Sequence, residues 1–149
     1  MRSVRRLVPV LSAALVLVAV PAHGHAQSHA DLVWNQLQTN HTTLVKEGYA
    51  VTRYLVGVLN NDRADTWTFQ FTAGRTYRII GACDADCRDI DLEVLGLDGK
   101  VIVKDTADDD LPVVSFDVSA SGDLKVKVSM YRCGEEPCFW GLGIWSKAR

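Results

Sequence analysis

From Tyr49 onward the chain is written in short segments whose apolar residues alternate with polar ones. A period of two sends successive side chains to opposite faces of a strand, so each segment can bury one face and wet the other. Trp67, Phe69 and Phe71 alternating with Thr66, Thr68 and Gln70 is the clearest instance. Eight such segments fall at 50–59, 66–71, 77–83, 90–94, 101–104, 114–118, 124–130 and 140–144. Turn-forming residues separate many of them: Asn60-Asn61-Asp62, Ala73-Gly74, Asp98-Gly99 and Ser121-Gly122. Eight short strands, evenly spaced and each with one apolar face, predict an antiparallel, all-β sandwich over residues 49–149.

The residues before the strands have a different period. Val33, Leu37 and Leu44 recur on one face of a helix over 29–47, flanked by Trp34 and Val45, with Gly48 as its stop. This helix makes 27–48 an N-terminal segment laid on the sandwich.

Residues 1–26 carry the marks of a cleaved signal peptide. Arg2, Arg5 and Arg6 precede an almost wholly apolar run at 7–20, Pro21 breaks it, and Gly24 and Ala26 supply small residues for cleavage before Gln27. The run is shorter than the roughly 20 apolar residues a membrane span needs. A secreted or periplasmic protein with no membrane insertion after cleavage is expected. The 123 residues left would hold 13 basic and 18 acidic side chains. Such an excess of acid argues against nucleic acid, whose phosphates must be neutralised, and leaves cations and basic surfaces as partners.

All four cysteines, Cys83, Cys87, Cys133 and Cys138, lie beyond the signal. An even count in an oxidising compartment reads as two disulfides, for which three pairings exist. The local pairs are favoured, because Asp84-Ala85-Asp86 and Gly134-Glu135-Glu136-Pro137 are loops that can fold back. A four-cysteine zinc site has compatible spacing and is the rival reading.

The order of these pieces resembles the bacterial pre-peptidase C-terminal domain family. Four stretches carry the resemblance: the aromatic strand before Ala73-Gly74-Arg75-Thr76-Tyr77; Asp89-Ile90-Asp91-Leu92 running to Asp98-Gly99; an acidic loop ahead of a Val/Phe strand; and Ala120-Ser121-Gly122-Asp123-Leu124 entering a Lys/Val strand. The resemblance implies a jelly-roll-like β-sandwich and an accessory role beside secreted peptidases. The helix and the cysteine pairs are not part of that family's general pattern.

Chemistry is sparse. Beyond the expected cleavage site the only histidines are His29 and His41, both in the helix, while Ser115, Ser119, Ser121 and Ser129 sit at turns or on polar strand faces, so a nucleophile held by a base is poorly supported. The expectation is a non-catalytic exported binding or accessory module, with an unknown protein or polysaccharide surface as partner. The alternative is a secreted hydrolase, or a regulator of one, acting through an acidic cleft. Calcium is the expected cofactor if there is one. Asp84, Asp86, Asp89 and Asp91 crowd one short span, and Asp108, Asp109 and Asp110 offer a second wall of the oxygen ligands a hard cation wants. The spacing is not that of an EF-hand, because Asp89 and Leu95 stand where glycine and glutamate are required. A chain starting at Gln27 would also place His29 third from a free amine, an arrangement that holds copper.

Overall fold

The computed structural model describes residues 23–149. The expected signal segment lies outside the described residues except for its last four positions, which form the first turn of the helix. Helix α1 (His23–Lys46) is followed by eight strands: β1 (Ala50–Leu59), β2 (Arg63–Phe71), β3 (Arg75–Cys83), β4 (Cys87–Leu95), β5 (Val101–Asp105), β6 (Val113–Val118), β7 (Gly122–Cys133) and β8 (Cys138–Ala148). Each expected strand forms. Several run longer than their alternating residues, because pairing extends them: Arg63 at the start of β2 lies opposite Met130 of β7.

The pairing is nested. β1 lies antiparallel to β8, β2 to β7, β3 to β6 and β4 to β5, as in one long hairpin whose tip is the turn at Asp98-Gly99. Gly99 takes φ +83° there, a conformation that costs glycine nothing. Curling the hairpin sets β3 beside β8 and β4 beside β7. The result is two four-stranded sheets ordered β1-β8-β3-β6 and β2-β7-β4-β5, the jelly-roll arrangement.

The inward faces of both sheets make the main core. Trp140, Leu142 and Ile144 of β8 meet Ile90, Leu92 and Val94 of β4 and Val126, Val128 and Met130 of β7, all buried. Trp67 closes one end of this layer, its ring 5.0 Å from that of Trp140.

A second, smaller core lies on the outer face of the first sheet. There α1 buries Val33, Leu37 and Leu44 against Ile80, Ala82 and Trp145. Transfer of each such aliphatic side chain from water is worth about 1.5–3 kcal/mol. The approach is close because β8 presents Gly141 beneath the helix. A Cβ there would stand 2.5 Å from Val33 Cγ1. The helix ends where the chain can turn left-handed, at Gly48 with φ +83°. Tyr49 N–H then donates to Leu44 O (3.0 Å) and Gly48 N–H to Val45 O (3.1 Å), a Schellman cap completed by Leu44 and Tyr49 in the same apolar cluster.

The cysteines form two local disulfides, Cys83–Cys87 and Cys133–Cys138, with Cα atoms 5.9 and 5.7 Å apart. Paired in this way they leave no thiolate for the zinc alternative. Each bond closes a crossover between the sheets, β3 to β4 in one case and β7 to β8 in the other. Cys87 lies opposite Cys133, so both staples sit at one end of the sandwich.

Candidate functional site

The stapled end is organised by one buried carboxylate. Asp84 opens the first disulfide loop, and Asp86 N–H (3.3 Å) and Cys87 N–H (3.2 Å) donate to its Oδ1. Phe139 N–H donates to Oδ2 at 2.8 Å, which ties the loop to the start of β8. His29 of α1 brings Nδ1 to 3.0 Å from the same Oδ2 and 3.6 Å from Asp86 Oδ2. A carboxylate has about four acceptor positions, and all four of Asp84's are engaged. That accounts for a charged group this deeply buried, whose side chain is 1% exposed. Gly134 N–H donates to Asp86 O at 2.7 Å and joins the second disulfide loop to the first.

Of the seven aspartates expected to share a cation, Asp89 lies within reach of the charges of Asp91, Asp108 and Asp109. Asp84 and Asp86 meet each other, with His29 as the third group. Among the described residues this is the one trio of His, Cys, Asp or Glu whose ligand atoms lie within 4.8 Å of one another. Asp108 is ion-paired with Arg132. Asp109 accepts from Leu111 N–H at 3.0 Å through Oδ1 and from Ile90 N–H at 3.0 Å through its carbonyl, so it shapes the loop between β5 and β6. Asp110 lies across a shallow pocket from Gln36, Thr39 and Asn40 of the helix.

Asp89 and Asp91 stand on the outer face of β4, as the alternation predicts, but Asp91 is nonetheless buried, at 8% exposure. A groove crosses the second sheet beside it. Ala64, Ser129 and Asp91 lie in register on β2, β7 and β4, a row of short side chains. The next row holds Thr66, Lys127 and Glu93, with Lys127 Nζ bonded to Glu93 Oε2 at 2.7 Å. Tyr131 stands on the other side, half exposed. The cavity so framed has a volume of about 210 Å³ and is lined by Asp62, Arg63, Ala64, Lys127, Ser129, Met130 and Tyr131. Ser129 Oγ, at its floor, is buried without a hydrogen-bond partner.

The electrostatics of this row follow from its neighbours. Burial, then the charges of Asp89, Glu93 and Asp105, push the Asp91 carboxyl from 3.8 up to about 6, with Lys127 pulling the other way. Burial first, and then Asp108, raise Asp89 as well. Glu93 holds the Lys127 ammonium above its ordinary value. The cavity therefore offers a hydroxyl, an ammonium and a phenol ring, with the raised Asp91 carboxyl on the neighbouring strand beside Ser129.

Sequence reasoning placed the cysteines and the aspartates, and weighed His29 only as an N-terminal copper ligand; it missed Ser129, Lys127 and Tyr131 as site residues. Nothing local in sequence pairs His29 with Asp84, 55 positions away. Ser129 and Lys127 read as the wet face of a strand, and nothing local distinguishes a wet residue from the floor of a groove.

No protein-family model matches the chain, and no curated protein sequence matches it. Among solved structures it is similar to the crystal structure of PliG of Aeromonas hydrophila, a periplasmic lysozyme inhibitor of g-type lysozyme. The identity is 16% and the TM-score 0.49, over 66% of this chain and 86% of that one. A likeness this distant transfers no ligand and no activity.

Proposed function

We propose that the protein is an exported, non-catalytic binding module of the pre-peptidase C-terminal kind. It engages a protein or polysaccharide surface through the outer face of its second sheet. The observation that carries this reading is the Ser129 hydroxyl, buried and unpartnered at the floor of a groove beside the buried Asp91. A buried polar group without a partner costs about 1–3 kcal/mol, a cost a ligand group can remove. The two sheets differ in cover. Helix α1 packs on β8, β3 and β1 of the first sheet, while Thr66, Thr68 and Gln70 of the second stay exposed. Mixed donors and acceptors beside a tyrosine suit hydroxyl-rich or polar side-chain partners. Two disulfides at the sheet crossovers fit an oxidising compartment.

The histidines support a binding role over catalysis. His29 is engaged with Asp84, and His41 Nδ1 accepts from Trp145 Nε1–H at 3.3 Å. Both are spent on docking the helix rather than on activating a nucleophile.

The test uses immobilised protein challenged with cell-envelope proteins and, separately, with insoluble envelope polysaccharide. Lys127→Ala with Tyr131→Ala should abolish retention of the partner. Gln38→Ala with Thr42→Ala, on the helix, should leave it intact. Retention that survives the first pair and is lost with the second would move the binding face to the helix.

A further inference from the structure

We infer that His29, Asp84 and Asp86 form a binding site for a divalent transition-metal ion of the zinc class. Two elements deliver the three ligands. His29 comes from α1, Asp84 from the loop between β3 and β4, and Asp86 from the same loop two residues on, held by Cys83–Cys87. Metal bonds of about 2.0–2.2 Å would subtend about 90° across the 3.0 Å between His29 Nδ1 and Asp84 Oδ2, and about 120° across the 3.6 Å to Asp86 Oδ2. Those angles suit a tetrahedral or octahedral centre without moving the backbone.

The surroundings favour this ion class. Asp84 is prearranged: three backbone N–H groups hold its carboxylate, the outer-shell support that metal-ligating carboxylates need. Its remaining acceptor position points at His29 Nδ1, the one contact a metal would replace. Asp86 is part-exposed, and its carboxylate makes no bond to the loop backbone, so it is free to turn onto an ion. A cavity of about 150 Å³, lined by Ser28, His29, Leu32 and Ala85, opens beside the trio and admits solvent as further ligands. An imidazole nitrogen selects zinc-like ions over calcium, which takes six to eight oxygens. The ion is held by Nδ1 of the neutral imidazole, whose ring proton is carried on Nε2, and it ties α1 to the stapled end of the sandwich.

Isothermal titration of the exported chain with zinc is the test. One equivalent should bind, with chemical shifts moving at the His29 ring and the amides of residues 84–87. Asp86→Asn should weaken binding at least tenfold, and His29→Ala should abolish it. Asp86 also separates this site from a copper-type site at a free N-terminal amine, which needs His29 but not Asp86. Zinc binding that is absent, or that is unaffected by Asp86→Asn, overturns the assignment.

Discussion

His29 and Asp84 meet 55 positions apart in the chain, Nδ1 to Oδ2 at 3.0 Å, where the helix crosses the first disulfide loop. Asp84 also gathers three backbone N–H groups from the loop and from β8, so one carboxylate holds three elements together. Replacing it by asparagine keeps one acceptor oxygen and brings an NH₂ against donors. Asp84→Asn should cost about 2–4 kcal/mol. His29→Ala removes one half-buried contact and should cost about 1 kcal/mol. Urea unfolding of the two variants checks the order; an Asp84→Asn protein as stable as the parent would refute the role given to Asp84.

Asp91 makes stability depend on pH in an unusual direction. Its folded carboxyl sits at about 6 against an ordinary 3.8. Between those values the folded state keeps a proton that the unfolded chain has lost. Stability therefore falls as pH rises through that window, by up to about 3 kcal/mol, and is level below it. Asp91→Asn should raise the melting temperature at pH 7.5 and leave it nearly unchanged at pH 3.5. Melting curves of both proteins across pH 3.5–7.5 measure the difference, and parallel profiles would contradict it.

Gly141 sets the distance between helix and sheet. Its missing Cβ leaves room for Val33 Cγ1 and Leu37 Cδ1, which would otherwise stand 2.5 and 2.9 Å away. Gly141→Ala should lift α1 and cost about 1–3 kcal/mol by overpacking. Near-ultraviolet dichroism and fluorescence of Trp145, buried under the helix, would register the shift while the sandwich strands stay intact. A variant with unchanged Trp145 signals and stability would show that the helix adjusts freely.

Calcium tests the acidic cluster directly. Three backbone N–H groups leave Asp84 a single position, which faces His29; Asp108 is paired with Arg132, and Asp109 shapes its own loop. With its ligand atoms so divided, millimolar calcium should leave the melting temperature of metal-free protein unchanged. A rise of several degrees that disappears in Asp89→Asn with Asp91→Asn would establish a calcium site on β4 instead.

The eight strands and the buried face of α1 could be read directly, because a period of two and a period of 3.6 are local records of burial. Val33, Leu37, Ile90, Leu92 and Val94 were legible as core for that reason, and all are buried. The local disulfides were favoured on similar grounds, since each closes a loop of turn-forming residues. Asp91 shows where local reading stops. Alternation put it on the wet face, and it is there, but Ser129 beside it and the small Ala64 beyond create a groove that local pattern does not encode. Trp34 and Trp145 make the same point: nothing nearby in sequence separated them, yet Trp34 is exposed and Trp145 fully buried under the helix.

The sequence by itself determined the elements and the acidic balance and favoured the two local staples, because these rest on near neighbours along the chain. The tertiary structure alone decided which sheet face α1 covers, which strands share a sheet, and which distant groups meet. The nested pairing of β1 with β8 and of β2 with β7 brings together residues scores of positions apart. His29 with Asp84, and Ala64 with Ser129 and Asp91, acquire their surroundings only when the hairpin curls and removes water from between them.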